Sequence, residues 1–158
     1  MLKPGSKAPE FVLANDQGGE TSLSDLLQDG PLILYFYPAD FTPGCTKEAC
    51  SIRDIHNDIQ AVGLQVAGIS PQDEESHQRF RKEHDLPFIL LSDPDKVAVE
   101  MYDVDGPFGV GVRRATFLIN QDHTIQDAVM ADVRVGRHQE FIEKAVGLRE
   151  KAGKRSED

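Results

Sequence analysis

The sequence predicts an α/β sandwich, one mixed sheet between layers of helix. Three observations carry this. "PLILYFYP" (31–38) and "LQVAGIS" (64–70) are continuous apolar runs, the pattern of buried strands. Segments of helical period alternate with strands along the chain. "RRATFLIN" and "TIQDAVMA" are separated only by the Gln121–His123 turn, so that pair is antiparallel and the sheet is mixed.

Taken in order, residues 1–30 carry turn signals at Pro4-Gly5, Asn15-Asp16 and Gly18-Gly19, with "FVLAND" a short strand entering the Gly-Gly turn. "TSLSDLLQDG" is a short helix, with Ser22 or Thr21 as cap and Gly30 as stop. After the central strand, Ala49, Ile52, Ile55, Ile59 and Val62 recur at spacings of three and four. Pro43 to about Val62 is therefore predicted as one helix, ended by Gly63. "PQDEESHQRFRKEHD" is a surface-lying helix with its acidic residues first, as the helix dipole favours. "PFILLSD" is a strand, "DKVAVEMYDV" a short helix and "DGPFGVGV" a loop. Arg137 to Lys151 is the closing helix. One domain is expected over 1–151, followed by a polar tail, 152–158, with no reason to be ordered.

With 158 residues the chain can bury a real core, so it needs no disulfide or metal to fold. The net charge of −10 argues against a nucleic-acid surface or an anionic membrane surface. No apolar run has the length of a signal peptide core or a membrane span, and a cytoplasmic protein is expected. In a reducing compartment, two cysteines are free, metal-bound or redox-active more readily than a permanent staple. Cys45-x4-Cys50 stands without a second Cys or His pair at zinc spacing, and no metal or organic cofactor is indicated.

The chemistry gathers in "YPADFTPGCTKEAC" (37–50), where a strand hands over to a helix. Pro38 ends the strand. Thr42 suits the N-cap and Pro43 the first helical position. Cys45 then lies in the first turn, among unpaired N–H groups at the positive end of the dipole, a setting that lowers a cysteine pKa below its free value of about 8.5. A helix start that merely holds a buried cysteine is the competing reading, and position alone does not separate the two. On an intact helix, residues 45 and 50 are roughly 8–9 Å apart at Cα and leave different faces. The limit for a disulfide is about 7 Å, so a bond between them requires the first turns to unwind.

This segment resembles the active-site motif of peroxiredoxins, Pro-x-x-x-Thr/Ser-x-x-Cys, matched by Pro38, Thr42 and Cys45. The second cysteine five residues on is similar to the bacterioferritin-comigratory-protein (peroxiredoxin Q) subfamily, and the likeness extends over nearly the whole chain. Phe41 departs from the polar residue usual there and is read as tuning the pocket rim. The resemblance implies a thioredoxin-like fold with an N-terminal hairpin extension. It implies a thiol peroxidase, in which Cys45 attacks a hydroperoxide and becomes a sulfenic acid. It gives Thr42 a hydrogen bond to the peroxide, Pro38 a shielding role, and Arg114 of "RATF" the cation's place, with Glu48 orienting that arginine. Cys50 becomes the resolving thiol, and thioredoxin or glutaredoxin the external reductant. The subfamily leans toward a monomer.

Strand alternation puts Arg114 and Thr116 on one face and Arg113 on the other, where it reads as a solvated residue. The five histidines lie mostly in charged stretches and are expected at the surface. A thioredoxin-like disulfide oxidoreductase would want C-x-x-C, which this chain lacks. A peroxide sensor or chaperone-like binder that uses the disulfide as a switch is the non-enzymatic alternative.

Overall fold

The computed structural model describes the backbone of residues 1–157 and side chains to Gly153. Strands β1 (Val12–Asn15) and β2 (Glu20–Ser22) form an antiparallel hairpin. Helix α1 (Leu23–Leu26) starts at Ser22, whose hydroxyl accepts from the Asp25 N–H while Asp25 reaches back to the Ser22 N–H. The remaining elements are β3 (Leu32–Phe36), α2 (Pro43–Asp54), α3 (His56–Ala61), β4 (Gln65–Ser70), α4 (Glu74–Glu83), β5 (Ile89–Ser92), α5 (Val97–Met101), β6 (Ala115–Ile119), β7 (Ile125–Met130) and α6 (Gly136–Glu157). The seven strands form one sheet in the order β2-β1-β5-β4-β3-β6-β7. β3, β4 and β5 are parallel, while β6 is antiparallel to both β3 and β7.

Strand alternation divides the core between the two faces. Leu32, Leu34 and Phe36 of β3 point into one cluster with Leu23, Ala98, Val99 and Tyr102. Ile33 and Tyr35 point into the other, which Cys45, Ala49, Ile52, Ile59, Phe80 and Ile142 close from the helical side. Helices thus cover both faces, and α2 follows β3, all five of whose residues are buried.

Three expectations need correction. The helix after β3 is two helices, not one. At Ile55 (φ −107, ψ 9) the backbone leaves the helical path and its N–H bonds back to Ile52, three residues away. The apolar stripe survives the break, since Ala49, Ile52 and Ile59 are all buried. Gly30 is not the stop of α1, which ends at Leu26; a Cβ there would lie 2.0 Å from the Gly63 carbonyl oxygen, so close backbone approach requires glycine. The backbone of the stretch read as a polar tail is helical as far as Glu157, in continuation of α6.

Among the described residues, no helix is long and apolar enough to cross a membrane.

Candidate active site

The site is built where β3 ends. Pro38 stops the strand, and Thr42 caps α2: its hydroxyl accepts from the Cys45 N–H at 3.4 Å and donates to the Ala39 carbonyl at 3.2 Å. Pro43 takes the first helical position, which leaves Cys45 in the first turn with its side chain buried.

Arg114 arrives from the start of β6. Its Nη1 donates to Cys45 Sγ at 3.2 Å and to Glu48 Oε1 at 3.1 Å. Gly44 makes this approach possible, because a Cβ there would stand 3.1 Å from Arg114 Nη2. Asp132, just past β7, fixes the other end: its Oδ1 accepts the Arg114 backbone N–H at 2.9 Å and its Oδ2 pairs with Arg113 at 2.8 Å. The two arginines therefore separate as alternation predicts. Pro38 is exposed and lines an open groove of about 510 Å³ with Arg114, Pro107, Val112 and Asp132. Cys50 is half-buried on the same unbroken helix, and both thiols are free.

Burial dominates the electrostatics. It pushes Glu48 up to about 7 from an ordinary 4.5, against the pull of the adjacent guanidinium. For Arg114, burial opposes the charge, but Glu48 and Cys45 more than offset it and its pKa rises. Burial also raises Tyr35 and Tyr37, beneath the site, well above the usual phenol range.

Two groups escaped the sequence reading. His138, on α6, is fully buried, with Nδ1 2.8 Å from Thr116 Oγ1 and 3.5 Å from Glu48 Oε2. His77, also fully buried, faces Asp40 Oδ2 at 2.7 Å through Nδ1 and the Leu91 carbonyl at 3.1 Å through Nε2. Asp40 also accepts from Tyr37 and Ser76, each at 2.7 Å, so the loop before Thr42 is tied to α4 and β5. The surface placement expected for histidines fails for these two and for His56, because each lies on the inward face of a helix whose other face is polar. Phe41 sits at φ +65, with its ring edge-on to Phe80 and the Arg79 guanidinium 5.2 Å from its centroid.

A buried thiol in the first turn of a helix, met by a guanidinium on a thioredoxin-like sheet, defines a thiol-based redox enzyme. The AhpC/TSA family model matches residues 4–128. The chain is 44% identical over 143 residues to "Putative peroxiredoxin bcp" of Coxiella burnetii, covering 87% of this chain and 93% of the relative. It is 41% identical over 127 residues to "Peroxiredoxin Bcp" of Bacillus subtilis, covering 77% and 80%. The crystal structure of peroxidoxin BcpB from Mycobacterium tuberculosis superposes with a TM-score of 0.87 at 32% identity, over 94% of this chain and 98% of that one. The chain belongs to the AhpC/TSA family, among peroxiredoxins of the bacterioferritin-comigratory-protein (peroxiredoxin Q) type. It is a thiol-dependent peroxidase, with a peroxide as substrate and a thiol as reductant.

Proposed function

We propose that Cys45 is the peroxidatic cysteine, Cys50 its resolving partner, and thioredoxin the reductant that resets the enzyme in the cytoplasm. Hydrogen peroxide and organic hydroperoxides are the substrates, and the enzyme serves redox homeostasis as a monomer. The observation that carries the reading is the Arg114 contact to Cys45 Sγ at 3.2 Å in the first turn of α2.

The Cys45 thiolate attacks the terminal peroxide oxygen; the O–O bond breaks, the sulfur becomes a sulfenic acid, and water or an alcohol leaves once the departing oxygen gains a proton. Arg114 is aimed where negative charge develops on that oxygen. Thr42 can donate to the peroxide by turning its hydroxyl proton away from the Ala39 carbonyl, while its oxygen still caps the Cys45 N–H. Pro38, without a donor, shapes and shields the rim.

Cys50 then displaces hydroxide from the sulfenic sulfur and closes a disulfide. The continuous helix from Pro43 to Asp54 separates the two thiols by five residues, so closure demands unwinding of its first turns. Unwinding also exposes the disulfide to a dithiol protein.

The test is peroxide consumption driven by thioredoxin and its reductase. Cys45→Ser should abolish turnover. Cys50→Ser should keep one oxidation event and lose efficient recycling. Full activity of Cys45→Ser would overturn the assignment, and thioredoxin-driven turnover by Cys50→Ser at the wild-type rate would remove Cys50 from the cycle.

A further inference from the structure

Glu48 is only half satisfied. Its Oε1 accepts from Arg114 Nη1, but Oε2 has no hydrogen-bond partner although the side chain is fully buried. His138 Nδ1 stands 3.5 Å from that oxygen. Donor and acceptor accounting fixes what the ring can offer. Nε2 lies 2.9 Å from the Ala131 carbonyl, which only accepts, so Nε2 carries a hydrogen. Burial pushes His138 below the ordinary histidine range, with Arg114 acting in the same direction and the Ala131 contact and Asp132 opposing. A neutral ring protonated on Nε2 has a lone pair on Nδ1, and the Thr116 hydroxyl donates to it at 2.8 Å. Oε2 therefore looks at a nitrogen lone pair. That lone pair already accepts from Thr116, so an ionised Glu48 finds no donor there, and a buried charge without partners costs more than a buried neutral carboxyl.

We propose that His138 is a positioning residue for peroxide reduction: by withholding a donor from Oε2, it keeps a proton on Glu48 and leaves the charge of Arg114 to the Cys45 thiolate. The same Arg114 nitrogen serves both Cys45 Sγ and Glu48 Oε1. Two anions there would share one cation and repel each other. Net movement of one proton from the Cys45 thiol to the Glu48 carboxylate leaves the charge of the trio unchanged and ends that competition. The other titratable groups facing Glu48 leave this intact. Arg114 binds Oε1, Cys45 lies on the same helix, and Tyr35 of β3 is held neutral by burial with no hydrogen-bond partner of its own. The inference rests on Cys45 being the reacting thiol.

The experiment compares His138→Asn, Glu48→Gln and the double variant, reading the peroxide rate constant against pH. Thiolate absorbance is followed in the same set on a Cys50→Ser background. The asparagine amide supplies the N–H donor that His138 withholds, which favours an ionised Glu48. His138→Asn should move the pH profile of the rate constant up by about one unit and lower the rate constant on its acid limb about tenfold. In the Glu48→Gln chain the same substitution should change the rate by less than about twofold, since the pair no longer couples. An equal loss in both backgrounds, or no shift in either, overturns the proposal. Should His138→Asn fail to fold, nitrogen NMR of the unaltered protein decides. The ring should be neutral and Nε2-protonated at about pH 7 to 8, and an imidazolium there overturns it. Activity of Cys45→Ser would instead sink the assignment of the thiol without touching the state of His138.

Discussion

Gly44→Ala separates stability from activity at one atom. Gly44 is the second residue of α2 and its φ is outside the left-handed region, so its backbone accepts alanine. Alanine in a helix is favoured over glycine by up to about 1 kcal/mol, and by less in a first turn. The new Cβ, however, would stand 3.1 Å from Arg114 Nη2 and 3.8 Å from Val135 Cγ2. The first distance is tighter than ordinary contact, so the guanidinium must retreat by a few tenths of an ångström. Its backbone N–H is held by Asp132 and its Nη1 by Glu48, so the retreat falls on the 3.2 Å contact to Cys45 Sγ. A hydrogen bond to a charged group contributes about 1.5–3 kcal/mol, and losing a third to a half of that is on the order of 1 kcal/mol. The rate of reaction with hydrogen peroxide should therefore fall about fivefold. Stopped-flow measurement of that rate constant, beside a urea titration of the reduced protein, reads both effects. A stably folded variant that reacts at the wild-type rate would refute the claim that the Arg114 contact supports the reaction.

Arg114→Lys keeps the charge but loses the planar guanidinium that sets Nη1 against both Cys45 and Glu48; the peroxide rate constant should drop about a hundredfold, and a drop under about threefold would mean charge alone suffices. Gly68→Ala would place a Cβ 2.7 Å from Tyr35 Cζ, inside the layer beneath Cys45, and should destabilise the fold by about 1–3 kcal/mol in urea; an unchanged midpoint would show that Tyr35 moves freely. Glu48 gives a pH signature of definite sign. Its folded value of about 7 lies above its ordinary 4.5, so its acid form stabilises the fold below the lower value, and that contribution is lost as pH rises through the upper one. Wild type should lose on the order of 2–3 kcal/mol relative to Glu48→Gln between about pH 4 and pH 8. Parallel stability curves for the two chains would contradict a buried, raised carboxylate.

What the sequence made legible follows from how each feature is encoded. The central strands are continuous apolar runs, and the thiol's place follows from Thr42 and Pro43, which cap and start a helix locally. Arg114 is different: alternation separates it from Arg113, but only the likeness to a family motif pointed it at Cys45. The break at Ile55 was invisible because the apolar spacing continues across it, and burial rather than backbone path sets that spacing. His77 and His138 were misjudged because their neighbours in sequence are charged. Their fate is decided by partners far along the chain, Asp40 for one and Thr116 for the other. No local pattern carries that information.

On the proposed mechanism, one contact links the chemistry to the helix that must open. Arg114 ties β6 to the first turn of α2 through Cys45 Sγ and to the next residues through Glu48. Attack on a peroxide converts the thiolate to a neutral sulfenic acid, so the charge-assisted part of the first tie disappears when Cys50 needs Cys45 to move. That loss, about 1.5–3 kcal/mol, is comparable to the net contribution of the two or so backbone hydrogen bonds that a first turn gives up. Oxidation thus removes the restraint that held the turn, and reduction restores it. Amide exchange over 43–50 should accordingly be slow in the reduced Cys50→Ser chain and quicken after one equivalent of peroxide. Unchanged exchange would mean that the helix opens independently of the state of the sulfur, with Arg114 serving only the attack.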